Sequence, residues 1–95
     1  MIVETELERL GGVREIKSLL LQIIGALVDD PRSVEILSED LNGGTCFQVR
    51  VGRSDVGKLI GKQGRTARSI RTVVAAASMK HAHRFTLDIL EEEQT

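Results

Sequence analysis

Tryptophan and tyrosine are absent from this 95-residue chain, and phenylalanine occurs only twice, at Phe47 and Phe85. Both fall at positions whose alternation points them inward, so a platform of exposed rings for stacking bases is not expected. There is one cysteine, Cys46. It can form neither an internal disulfide nor a cysteine-based metal site, which fits a reducing compartment. A single proline excludes a collagen-like repeat. No apolar run approaches the roughly 18 residues of a membrane helix. The longest greasy stretch is interrupted by Lys17, Gln22 and Gly25. The segment from Met1 to Glu8 is acidic and has no basic region or cleavage site, so a cytoplasmic address is expected rather than secretion. What remains, 41% hydrophobic and 28% charged residues, suits one small soluble domain and not a disordered chain.

Charge is unevenly placed. From Arg50 to Arg84 there are nine basic residues and one acid, Asp55, a net +8; the rest of the chain carries −9. A concentrated basic segment points to a local anionic partner, and the acidic remainder limits indiscriminate binding. The alternative is a solvated face on which charges happen to cluster.

Along the chain, residues 1–12 read as a weakly ordered or partly helical leader, broken by Gly11-Gly12. An amphipathic helix is expected over 13–28, with Ile16, Leu19, Leu20, Ile23, Ile24 and Leu27 as its apolar stripe. Leu21 lies off that stripe, either exposed or covered by the leader or a partner. Asp29-Asp30-Pro31 ends the helix. Two strands follow, Ser33 to Ser38 and Cys46 to Val51, joined by a hairpin at Leu41-Asn42-Gly43-Gly44. Val34 and Ile36 share one face of the first strand, and Phe47, Val49 and Val51 one face of the second. Ser54 has the character of an N-cap, with Asp55 in the first turn of a short helix reaching Ile60. After Gly61-Lys62-Gln63-Gly64, a longer helix runs to about Lys80, its inner face made of Ala67, Ile70, Val73, Val74 and Ala77. A last strand spans Arg84 to Leu90, with Phe85, Leu87 and Ile89 inward. Residues 91–95 form an acidic, solvated tail. The expected fold is α+β: a two-layer sandwich in the order α-β-β-α-α-β, three strands packed on three helices in one domain over residues 13–90.

The chemistry concentrates at Leu59-Ile60-Gly61-Lys62-Gln63-Gly64. Two glycines three apart, between two helices, allow positive φ and a close backbone approach to a ligand. Amides at the start of the following helix, together with its dipole, favour a phosphate. Lys62 adds charge within the loop, and Lys58, Arg65 and Arg68 flank it. Arg65, Arg68 and Arg71, each stepping about 60° around the helix, form an arc beside the loop.

This run, Val56 to Ile70 with Ile60-Gly61-x-x-Gly64 at its centre, together with the order of elements, resembles a KH domain of the type II arrangement. The whole segment from about Val13 to Leu90 is similar to the small single-domain bacterial KH proteins of the KhpA type, and Ala26-Leu27-Val28-Asp29-Asp30-Pro31 adds to the likeness. The resemblance implies single-stranded RNA binding, with the GXXG loop clamping the backbone of about four nucleotides. Carried over, Gly61, Lys62, Gln63 and Gly64 form the clamp. Lys58, Arg65 and Arg68 supply charge, Val56, Ile60 and Ile70 the groove floor, and strand residues near Gln48 and Arg50 a wall. A role as RNA chaperone or post-transcriptional regulator follows, as does self-pairing or pairing with a second KH protein of the KhpB type. The alternative reading is a protein-interaction module that uses the KH surface for assembly.

Other chemistries fit poorly. A Walker loop needs four residues between its glycines and Ser or Thr after the lysine. Here Gly57 and Gly61 enclose three, and Gln63 follows Lys62. The Rossmann fingerprint lacks its third glycine. His81 and His83 have no third ligand nearby and read as surface residues. Cys46 has no activating partner. No metal, cofactor, small-molecule substrate or catalytic group is expected.

Overall fold

A computed structural model describes residues 2–90, and the side chains from residue 11 onward. The expected acidic tail lies outside the described residues. The elements are α1 (Ile2–Leu27), β1 (Glu35–Leu41), β2 (Gly44–Arg50), α2 (Val56–Ile60), α3 (Arg65–His81) and β3 (Arg84–Ile89). Short 3-10 turns at Pro31–Ser33, Arg53–Asp55 and Lys62–Gly64 precede β1, α2 and α3. This is the α+β type II KH architecture.

The sheet order is β1-β2-β3. β1 and β2 form an antiparallel hairpin from Glu35↔Arg50 to Leu41↔Gly44. β2 and β3 run parallel, from Gly44↔Arg84 to Val49↔Ile89. A parallel neighbour cannot be reached by a tight turn, so the chain crosses over one face through α2 and α3. That crossover puts the loop Gly61–Gly64 at one end of the sheet. The first strand lies about two residues later than its pattern suggested, because the 3-10 turn at Pro31–Ser33 uses up the start of the run.

The core lies between this face and the helices. Phe47, Val49, Ile36, Phe85 and Leu87 from the sheet meet Ile16, Leu20, Ile24, Leu59, Ile70 and Val74. The two phenylalanine rings sit 5.7 Å apart between centroids and are buried. Burying such side chains stabilises the fold by about 2–3 kcal/mol each.

Three expectations need correction. The helix does not break at Gly11-Gly12: α1 runs straight through. Gly12 is buried there because α1 crosses the end of α3 closely; a Cβ at Gly12 would lie 3.1 Å from His81 Nδ1 and 3.3 Å from the Phe85 ring. The apolar stripes are also narrower than the pattern. Leu19 and Leu27 on α1 are 37% and 40% exposed, and Val73 on α3 is 40% exposed. A thin two-layer domain covers only the centre of each stripe. Leu21 is exposed. Finally, His81 and His83 are not plain surface residues. Both pack edge-on against Phe85, and His83 Nε2 lies 2.9 Å from the Thr45 hydroxyl.

Candidate nucleic-acid interface

α2 is only five residues long, and its buried anchor is Leu59. It stops at Gly61, whose φ of 78° and ψ of 173° leave the helical region. No side chain fits there: an added Cβ would lie 2.2 Å from Thr66 Oγ1 and 2.9 Å from the Thr66 amide nitrogen. Gln63 (φ 57°) and Gly64 (φ 72°) are also left-handed. At Gln63 this conformation costs a side-chain-bearing residue about 1 kcal/mol, and such cost is commonly stored at functional sites. The tight turn closes with the Gly64 amide donating to the Gly61 carbonyl at 3.1 Å.

The turn delivers the chain into α3 with no side chain capping its first turn. The Arg65 amide donates to the Lys62 carbonyl, and the dipole of a 17-residue helix favours an anion beside this end. Next to it a groove of about 490 Å³ is lined by Ile60, Gly64, Ala67, Arg68, Arg71 and Ile89. Ala67 is small enough to leave room between the loop and β3. Beyond Arg71 the seam between α3 and β3 opens again into a cavity of about 330 Å³, walled by Val74, Ala75, Phe85, Thr86 and Leu87. Arg71 stands between the two spaces and donates from Nε to the Leu87 carbonyl at 3.2 Å. That bond covers an acceptor and uses only one of the five donors of the guanidinium.

The residues named from the sequence are thus partly brought together. Ile60, Gly64 and Arg68 line the groove, with Gly61, Lys62 and Gln63 forming the turn at its mouth. Lys62 and Gln63 are exposed, and Arg65 reaches back to Gln63 Oε1 at 3.2 Å. Five do not join them. Val56 packs against the core, and Gln48 donates from Nε2 to Glu39 Oε1 at 3.4 Å. Ile70 is buried in the core. Arg50 pairs with Glu35 across the hairpin at 3.6 Å, and the wall comes from Ile89 on β3, the strand on the far side of β2 from β1. Lys58 pairs with Asp29 at 3.0 Å and with Asp55 at 3.7 Å. The Asp29 carboxylate, above all, raises the Lys58 pKa above its ordinary value. Arg71, noted in the sequence as part of the basic arc, and Ile89, noted as an inward strand residue, were not assigned to the site because their meeting depends on the parallel register of β3.

Ser54 is not the N-cap. Asp55 holds that position, is 1% exposed, and makes no cap bond to its own helix. Its carboxylate accepts from the backbone amides of Asp29 and Asp30, both at 3.0 Å. These bonds, led by the one from Asp29, hold its pKa below the ordinary carboxylate value.

The KH-domain model of the KhpA/KhpB type matches residues 17–89. The chain belongs to the KhpA/KhpB family. It is 39% identical over 75 residues to RNA-binding protein KhpA of Listeria monocytogenes, covering 79% of this chain and 99% of that protein. The Bacillus subtilis protein of the same name is 35% identical over 78 residues, 82% of this chain and 96% of the relative. That of Halalkalibacterium halodurans is 43% identical over 75 residues, with 79% and 99% covered. No solved structure matches the chain. The family match begins inside α1, at residue 17.

Proposed function

We propose that the protein binds single-stranded RNA, with the backbone clamped at Gly61–Gly64 and the following nucleotides lying in the groove between α3 and β3. The observation that carries this is the juxtaposition of a glycine-framed turn carrying the exposed Lys62 with a groove edged by Arg68 and Arg71. Membership of a family whose relatives are named RNA-binding proteins supports it. Gly61, Lys62, Gln63, Gly64, Arg65 and Arg68 contact phosphates, and Ile60 meets bases. One KH module reads about four nucleotides, which suits an RNA chaperone or post-transcriptional regulator in the cytoplasm that draws added affinity from a partner. The protein acts by binding and not by catalysis; its one thiol, Cys46, is buried in the sheet.

Pairing with itself or with a KhpB-type KH protein accompanies this function. Exposed Leu19, Leu21 and Leu27 on α1 favour it. Sedimentation velocity at micromolar concentration, alone and with such a partner, tests it: a larger species is expected, and monomers in both runs overturn it. RNA binding itself is tested by salt dependence. Neutralising about three phosphates gives a log–log slope near −2 for a single strand, whereas a flat profile contradicts an electrostatic clamp.

A further inference from the structure

A helix of five residues with one fully buried side chain is weakly fixed in direction by its apolar packing alone. Leu59 is the one fully buried side chain of α2, near the loop end; Val56, at the other end, is only partly buried against the core. Fixing the helix axis needs a firm second point at the other end, and beside the partly buried Val56 the fully buried Asp55 supplies it. It immediately precedes α2, and its side chain does not cap the helix as an N-cap aspartate ordinarily does. It reaches instead across 26 and 25 residues to the amides of Asp29 and Asp30, where α1 gives way to β1. Lys58, one turn into α2, closes the cluster by bridging Asp55 and Asp29. Asp55's own amide donates to the Gly52 carbonyl at 2.8 Å, which holds the 3-10 turn beneath it. Both carboxylate oxygens, two foreign amides and one ammonium are therefore committed to joining the α1–β1 connection to the base of α2. The buried carboxylate keeps its charge because hydrogen bonds and an opposite charge favour the ionised form.

We infer that Asp55 is a positioning residue for the GXXG turn: by clasping α2 to the Asp29-Asp30 amides it sets where Gly61–Gly64 stands against the groove, and so sets RNA affinity without touching RNA. The inference rests on the RNA-binding reading for its effect on affinity, while its effect on the turn is separate. The strength of the clasp comes from main-chain donors, which no substitution at Asp29 or Asp30 short of proline removes, so Asp55 is the point at which it can be broken without altering the backbone.

The test uses the full chain, isotopically labelled with nitrogen-15, as wild type, Asp55→Asn and Asp55→Glu. Asparagine turns one acceptor oxygen into a donor that faces an amide N–H; glutamate keeps the charge but moves it by one methylene. Amide resonances of Gly61 and Gly64 are followed alongside anisotropy of a labelled single-stranded RNA of mixed sequence. The expected result is that Asp55→Asn shifts both glycine amides and weakens RNA binding by about tenfold, with helical content retained and Asp55→Glu intermediate. Spectral changes confined to residues 29–30 and 52–58, with affinity unchanged, overturn the inference, as do shifted loop amides with unchanged affinity. Should Asp55→Asn fail to fold, Asp55→Glu decides by the same readouts. If the wild type binds no RNA, the RNA reading fails on its own, and unmoved loop amides would then overturn the positioning of the turn as well.

Discussion

The two ends of α2 lie within a few residues of each other and are built on opposite plans. At the Asp55 end polar groups are satisfied inside the protein, by the Asp29 and Asp30 amides and by Lys58. At the Gly61 end two glycines frame an exposed turn with positive φ at Gly61, Gln63 and Gly64, and no side chain caps the helix start that follows. Buried polar groups that are fully paired rigidify a structure; donors left open are available to a ligand. One short helix thus joins a rigid base to a turn presented to solvent, and the charge of each end follows its use. Lys58 is spent within the protein, whereas Lys62 and Arg68 carry no ion pair among the described residues.

The sharpest way to break this contrast is at the glycines. Gly61→Ala forces a Cβ against Thr66 at a positive φ, so we expect it to lower stability by about 2 kcal/mol and to abolish RNA binding, read by thermal denaturation and anisotropy. Gly64→Ala shares the positive φ but has open space around it. It should cost only about 1 kcal/mol and weaken binding less. Equal effects at the two positions would mean that crowding by Thr66 does not shape the turn.

A smaller effect separates the lysine of the clasp from the arginine of the groove. Arg68→Ala should flatten the salt dependence of RNA binding by about 0.7 in log–log slope, one phosphate contact on a single strand. Lys58→Met should leave that slope unchanged, because its charge already faces Asp29 and Asp55. A reversed pair of slopes would return Lys58 to the RNA surface.

The mildest probe is pH. Asp55 titrates below its ordinary value of 3.8 in the folded chain, so its contribution to stability is present above that range and is lost as pH falls through the folded value. Wild type should therefore exceed Asp55→Asn in stability at pH 7, and the difference should narrow below about pH 4. A difference that is constant down to pH 3 would show that the carboxylate's charge is not what stabilises the clasp.

Much of this molecule was legible in its residues. The period of Ile16, Leu20 and Ile24 and the alternation of Phe47 and Val49 are local signals, and local signals survive folding. The two glycines with a lysine between them marked the turn for the same reason. What escaped was set by contacts distant in sequence. Gly11-Gly12 has the composition of a breaker, yet α1 runs through it, and Gly12 lies where the helix closely approaches His81 and Phe85. Asp55 has the composition of a helix start, yet its partners lie at Asp29 and Asp30. Arg50 shares the basic segment with Arg68 but faces Glu35, since the order of strands puts β3 and not β1 beside the groove.

The central claim is that the turn at Gly61–Gly64 holds RNA, and the most direct test is anisotropy of a labelled single-stranded RNA titrated with wild type and with the Lys62→Asp, Gln63→Asp double variant at two salt concentrations. Both side chains are exposed, so the fold should survive the change. The account predicts salt-sensitive binding by the wild type and none by the folded variant. Equal binding by the two proteins, or binding by neither, would contradict it.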